Sequence, residues 1–166
     1  MVTPAGRNYR EQLEFRKNTF NFYEPAQEIT EQFASETQTV TLTGDLHMMI
    51  FADSERIGRV LTNLIGNSVK YAPGTAEIKV ELIEKETFIK VSVIDKGSGI
   101  SQEKISLLFD RYYQADDQQS QYSGLGIGLF ISANIIRKHE GQIGVESIPG
   151  QGTTFWFTLP KLAAAN

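Results

Sequence analysis

The chain has no cysteine and only two histidines, His47 and His139. Disulfides and thiolate chemistry are therefore excluded, and a zinc site has too few ligands to draw on. The compartment stays open. Basic residues are in deficit, with 16 Lys and Arg against 20 Asp and Glu and a net charge of -4. Without a basic excess the chain is a poor match for nucleic acid as its main partner. No apolar run approaches the ~20 residues of a membrane-spanning helix, no stretch reads as a secretory leader, and there is no internal repeat. What remains is a globular composition, 40% hydrophobic and 22% charged over 166 residues, enough for one domain with one core.

The strongest local pattern runs over 54–71, where Ile57, Val60, Leu61, Leu64, Ile65 and Val69 recur at helical spacing on one broad face. Arg56, Asn63, Asn67 and Lys70 fall within an arc of roughly 60° beside it, with Asn67 nearest the apolar border. Asp53 is placed to cap this helix and Pro73-Gly74 to stop it. Two neutral side-chain oxygens one turn apart, followed by a cation, suit a hydrated Mg²⁺ and the phosphates it bridges. An amphipathic surface helix with solvated Asn and Lys is the plainer reading of the same residues.

Around it, residues 1–22 are mixed and polar, with Leu13, Phe15, Phe20 and Phe22 as intermittent anchors. Pro25 opens a helix over 26–35, and residues 40–42 and 47–51 read as short strands joined by a turn at Gly44-Asp45. Strands over 76–83 and 88–95 follow, of hairpin spacing, with Ile78, Val80 and Leu82 on one face and Glu77, Lys79 and Glu81 on the other. Ser101 begins a short helix to 108, and 116–123 is a polar stretch without apolar period, of the kind used as a lid. A helix over 129–138 ends at His139-Glu140-Gly141, and strands over 142–147 and 153–159 flank a Pro-Gly turn. The tail 161–166 has the look of a vector remnant and is set outside the fold.

Two stretches carry chemistry. Asp95-Lys96-Gly97-Ser98-Gly99-Ile100 ends a strand, where paired glycines let backbone approach a flat ligand. A carboxylate there accepts a hydrogen bond from an exocyclic amino group such as adenine's, which offsets its desolvation if it is buried. A plain strand-to-turn exit uses the same residue types. Gly124-Leu125-Gly126-Ile127-Gly128 precedes a helix, whose exposed amides and dipole suit polyphosphate oxygens. It is neither common glycine motif. Leu129 stands where a dinucleotide fingerprint needs its third glycine, and Gly-Lys-Ser/Thr is absent.

The order of the stretches says more than any one of them. An Asn-bearing helix precedes Asp-x-Gly-x-Gly, the aromatic run 108–113, a polar lid, Gly-x-Gly-x-Gly and the strand Gly152-Thr-Thr-Phe. In this order, over about 20–160, the chain resembles the catalytic, ATP-binding domain of bacterial sensor histidine kinases. The wider superfamily includes gyrase-type topoisomerases, heat-shock chaperone ATPases and mismatch-repair ATPases. The resemblance implies an α+β two-layer sandwich, the Bergerat ATP-binding fold, with a mixed, mainly antiparallel five-stranded sheet covered by helices on one face. It places the catalytic domain at 23–160 and makes 1–22 a linker, with 10–20 the exit from a dimerisation helix pair.

It also implies ATP and Mg²⁺ as cofactors, with Asn67 and nearby Asn63 on the metal and Lys70 and Tyr71 along the phosphates and ribose. Asp95 would take the adenine amino group, Gly97, Gly99 and Ile100 would shape the pocket, and Thr154 would support it through water. Phe109, Arg111 and Tyr113 would form the base of the lid, and Gly124, Leu125, Gly126, Ile127, Gly128 and Leu129 would wrap the phosphates. Asn63, Lys70 and Arg111 would serve the transferred phosphate. The implied partners are a dimerisation and phosphoacceptor domain of the same parent and, through it, a response-regulator receiver domain. The isolated domain is expected to be monomeric and to form the cytoplasmic part of a membrane-anchored sensor.

Two departures bear on mechanism. Relatives that hydrolyse ATP with water carry Glu where this chain has Asn63, so a phosphoryl donor with slow intrinsic hydrolysis is expected. Many histidine kinases place Arg where this chain has Gln114, which leaves the γ-phosphate to Lys70 and Arg111. His47, read in a strand, and His139, at a helix end, lack the setting of a phosphoacceptor and read as structural. The alternatives are an ATP-binding sensor or adaptor without phosphotransfer, and an ATPase of the same superfamily, which Asn63 disfavours.

Overall fold

Strand alternation organises the molecule, whose computed structural model describes residues 15–35, 38–71, 77–109 and 123–161. In chain order these form β1 (Asn18–Asn21), α1 (Tyr23–Phe33), β2 (Thr39–Gly44), β3 (Met49–Ala52), α2 (Ser54–Tyr71), β4 (Glu77–Glu84) and β5 (Phe88–Asp95). Then come α3 (Gln102–Ile105), α4 (Ser123–Lys138), β6 (Gln142–Ile148) and β7 (Gly152–Pro160). The main sheet has five strands in the order β2-β4-β5-β7-β6, antiparallel except between β2 and β4. Ile78, Val80 and Leu82 of β4, Ile89, Val91 and Val93 of β5, and Phe155, Phe157 and Leu159 of β7 are buried on one face. Helices α2 and α4 pack there, against each other and the sheet. The opposite face carries Lys79, Lys90 and Trp156, with the Lys90 ammonium 4.9 Å from the indole centroid. This is the expected α+β two-layer sandwich.

The expected cap of α2 is present: Asp53 Oδ1 accepts from the Arg56 amide at 3.1 Å, and Oδ2 pairs with the Arg56 guanidinium at 2.8 Å. Helix α1 crosses α2 at Gly58, where a Cβ would stand 3.5 Å from Ile29 Cδ1. Helix α4 ends in a Schellman turn, the Glu140 amide bonding Arg137 O and the Gly141 amide bonding Ile136 O. Glu140, not Gly141, takes the left-handed conformation, with φ 62°. Gly141 is needed because a Cβ there would run into the Thr158 carbonyl.

Several sequence expectations are corrected. Strands 40–42 and 47–51 do not form a hairpin. β2 instead pairs in parallel with β4, from Thr39 opposite Glu77 to Gly44 opposite Leu82, while β3 pairs with β1 in a separate two-stranded ribbon. Asp45 builds the crossing turn, its Oδ1 accepting from the His47 amide at 2.8 Å, so His47 is an exposed turn residue and not a strand residue. Residues 18–22, expected as linker, belong to the domain, with β1 on β3 and Phe22 wholly buried. Helix α1 starts at Tyr23, whose amide bonds Asn21 Oδ1 at 2.9 Å, and Pro25 lies in its first turn, where no amide is required. Helix α4 starts at Ser123, so the glycine run forms its opening turns. Pro73-Gly74, Arg111, Tyr113, Gln114, the lid over 116–122 and the tail from 162 lie outside the described residues.

His139 sits at the junction of α2, α4 and the leading segment. Its Nε2 accepts from the Asp53 amide at 3.0 Å, its Nδ1 faces Ile135 O at 2.8 Å, and Phe15 stacks on the ring at 5.0 Å. The Arg16 amide donates to Asp53 Oδ2 at 2.9 Å, and Arg56 lies 4.8 Å over the Phe15 ring. With one nitrogen accepting and the other donating, the ring is neutral. Burial pushes its pKa below the ordinary 6.5, helped by Lys17 and Arg56 and opposed by the Ile135 carbonyl and Asp53. The unfolded chain therefore takes up a proton below about 6.5 that the folded chain refuses, and this contribution to stability declines as pH falls through the lowered value. His139→Gln should lose about 1 kcal/mol at pH 7.5, roughly 2–4 °C, with the gap to wild type narrowing by pH 5.5 in paired thermal melts. A gap independent of pH would contradict the neutral-ring assignment.

Candidate nucleotide-binding site

The alternation that buries Val91 and Val93 also carries Asp95, at the tip of β5, to the helix-covered face, where it is 3% exposed. The Gly97 amide donates to its Oδ1 at 2.8 Å, closing a tight turn at the strand end. Its Oδ2 has no hydrogen bond among the described residues. Burial raises the carboxyl above its ordinary range, tempered by the Gly97 amide, the Ser68 hydroxyl and the Thr153 backbone. Ser68 is near enough to temper the shift, yet its Oγ makes no hydrogen bond of ordinary geometry and is itself buried. Gly99 has φ 81°, and a Cβ there would stand 2.5 Å from Ile148 O, so the loop lies flat against the β6–β7 turn.

Ser68 brings α2 to this carboxylate, and Asn67 is its neighbour in the chain. Asn67 is 2% exposed, and its amide nitrogen lacks a partner among the described residues. One turn earlier, Asn63 Nδ2 donates to Gly128 O at 3.3 Å and Ser132 Oγ at 3.1 Å, tying α2 to the first turns of α4. The structure thus brings Ser68 to Asp95 and ties Asn63 to Gly128, with Asn67 between these two points on α2. Lys70 is exposed on the last turn of α2, which Tyr71 ends. Arg56 belongs to the other end of the helix, committed to Asp53.

Ile100 and Leu129 are buried in the core and Phe109 packs partly buried against it, while Gly124, Leu125, Gly126 and Ile127 lie on the helical backbone of α4. Thr154 is displaced from its expected place. Its side chain belongs to the opposite face, one residue out of phase with Phe155 and Phe157. Thr153 is the residue directly across from Asp95, and it is buried on the same side. Counting back by twos from Leu159 through Phe155 would have found it. Ser68, Ser132 and Ser147 carried no signal of their own in the sequence.

A family model of histidine kinase-, DNA gyrase B- and HSP90-like ATPases matches residues 52–163. The chain belongs to this family. It is 33% identical over 165 residues to the adaptive-response sensory kinase SasA of Microcystis aeruginosa, covering 96% of this chain and 43% of that protein. To the sensor histidine kinase WalK of Bacillus subtilis it is 36% identical over 119 residues, covering 70% of this chain and 20% of that protein. The chain thus spans less than half the length of these relatives. The catalytic domain of the histidine kinase ThkA superposes with a TM-score of 0.75 at 27% identity, over 89% of this chain and 97% of that one. The chain is a histidine kinase-type ATPase catalytic domain, and the adaptor and plain ATPase alternatives are not favoured.

The raised carboxyl gives this site a stability signature. A folded-state pKa above the ordinary 3.8 contributes stability that is present below that value and lost as pH rises through the raised one. At neutral pH Asp95 therefore burdens the fold. Asp95→Asn, able to keep the bond from the Gly97 amide, should melt no earlier than wild type at pH 7.5, with any advantage fading toward pH 4. A clear drop in melting temperature at pH 7.5 would count against this balance.

Proposed function

We propose that this domain binds Mg·ATP and donates the γ-phosphate to a histidine on the dimerisation and phosphoacceptor domain of a longer sensor kinase, from which a response regulator is phosphorylated. The supporting observation is a buried carboxylate with one oxygen unpaired among the described residues, Asp95, beside Ser68 of α2, whose chain neighbour Asn67 is buried with its amide nitrogen likewise unpaired. The first suits an exocyclic amino group and the second needs an acceptor such as a phosphate oxygen. Gly97, Gly99 and Ile100 shape the base pocket, Tyr71 and Phe109 flank the nucleotide, and Tyr113 belongs to the lid base. The first turn of α4 presents free amides to the polyphosphate at Gly124 and Leu125, and Gly126 to Leu129 continue the helix behind them.

The residues present fit Mg²⁺. The nitrogen of Asn63 is committed to α4, so the group it offers is a carbonyl oxygen, and Asn67 lies one turn on. Such hard, neutral oxygens suit a metal that keeps most of its waters and binds through substrate phosphates. When bound, the ion supplies charge neutralisation and orientation of the phosphates. Asn63 holds its position between helices, and Lys70 and Arg111 supply positive charge to the transferred group. The domain acts by alignment, with acceptor access governed by ordering of the lid. We place it on the cytoplasmic side of a membrane-anchored parent, as a monomer when isolated. Among the described residues no helix is long and apolar enough to cross a membrane.

Saturating Mg·ATP should raise the melting temperature by roughly 5–10 °C, and chelator should reverse most of that gain. Asp95→Asn should weaken ATP binding about 10–100-fold, the range for a charge-assisted hydrogen bond, in a calorimetric titration. With labelled ATP and an acceptor domain supplied in trans, label should appear on a histidine of the acceptor. Steady phosphate release without an acceptor, and no labelled histidine with one, would favour a hydrolase instead.

A further inference from the structure

We propose that Ser147 is a positioning residue for purine selection: its hydroxyl sets the direction of the Thr153 proton and so leaves two acceptors, Thr153 and Asp95, facing the base. This rests on the nucleotide reading above. Ser147 is the penultimate residue of β6, paired with Thr153, and is 6% exposed. Three polar groups surround its Oγ: the Ile100 amide at 2.7 Å, the Gly152 carbonyl at 2.9 Å and Thr153 Oγ1 at 2.7 Å.

A hydroxyl has one proton and two lone pairs. The Ile100 amide can only donate and the Gly152 carbonyl can only accept, so the Ser147 proton goes to Gly152 O and one lone pair receives Ile100 N–H. The remaining lone pair requires Thr153 to donate. Every valence of Ser147 is then used, and Thr153 has spent its only proton away from Asp95. Thr153 stands directly across the β5–β7 ladder from Asp95, where side chains of an antiparallel pair lie roughly 5 Å apart. The unpaired Asp95 Oδ2 and the Thr153 lone pairs are then two acceptors on the same buried side of the ladder. A 6-amino purine offers donors to such a wall, whereas a 6-oxo purine offers a lone pair and is repelled.

The same hydroxyl also fixes the loop itself. Ile100 closes the Asp95–Gly99 turn, the Gly150 amide bonds Ser98 O at 2.6 Å, and Gln102 Nε2 bonds Ser147 O at 3.2 Å. Ser147 thus controls where the base pocket sits and which way its hydrogen bonds point. Without it, the Thr153 proton is released to Asp95 Oδ2, and the acceptor wall becomes mixed.

The test is calorimetric binding of Mg·ATP and Mg·inosine triphosphate, which differ at the six-position and, with it, in the N1 proton, to wild type, Ser147→Ala and Thr153→Val. Wild type should prefer ATP, and both variants should narrow that preference about tenfold, the worth of one hydrogen bond. Loss of affinity for both nucleotides in equal proportion would show a merely structural role and overturn the proposal. So would an unchanged ratio in either variant. If Ser147→Ala does not fold, Thr153→Val, which conserves shape, decides alone. Failure of wild type to bind ATP at all would overturn the nucleotide reading and this proposal with it, an outcome distinct from the others.

Discussion

Three strands present their apolar residues to two helices with the same parity, and a strand has no means of changing parity without a bulge. Ile89, Val91 and Val93 of β5 go into the helix-covered layer, and the next residue in phase is Asp95. On β7, Leu159, Phe157 and Phe155 go in, and the next in phase is Thr153. The core therefore carries two polar residues into its own layer at the open end of the sheet, opposite each other in register. Neither could turn to solvent without reversing every side chain behind it. The energy that pins the carboxylate is the burial of its apolar neighbours, which exceeds the desolvation of one group.

Helix α2 repeats the device at a period of 3.6. Its apolar face is wide enough that residues at its edge, Asn67 and Ser68, are buried with it. Both are left with a polar atom unpaired among the described residues, as is Asp95. Buried polar groups are almost always satisfied, and three of the four orphans among the described residues, all but Trp156 Nε1, lie where the proposed nucleotide would supply partners. The opposite end of α2 shows the contrast. There Asp53 accepts from two backbone amides and a guanidinium, and its carboxyl lies below the ordinary range because these bonds outweigh its burial.

These arrangements differ in how far the sequence disclosed them. The alternation in β4 and β5, the Asp53 cap and the long amphipathic α2 are local patterns, and each was legible from residue spacing. The partner of β2 was not, because parallel pairing with β4 is decided by chain that lies more than thirty residues on. Strand β1 was hidden for the same reason: Asn18–Asn21 has little β propensity and is a strand because β3 offers an edge. The threonine error came from reading motif letters without parity, since Thr153 and Thr154 are identical in sequence and opposite in the fold. The helical glycine run has yet another cause. Glycine costs about 1 kcal/mol against alanine in a helix, so propensity argued for a loop. The bond from Asn63 to Gly128 O and the packing of Leu129 act against that cost.

That bond bears on why the site does not read as a water-activating one. The position of Asn63 faces a carbonyl oxygen and a hydroxyl on α4, so the junction asks its occupant for a hydrogen-bond donor. A carboxylate there would set an acceptor against the Gly128 carbonyl and loosen the junction of the two helices. An amide meets the demand with its nitrogen and turns its oxygen elsewhere, but it cannot take a proton from water. Helix packing and chemistry thus select the same residue. The arrangement that holds α4 on α2 also leaves this position without a general base, in keeping with the proposed role as a phosphoryl donor rather than a hydrolase.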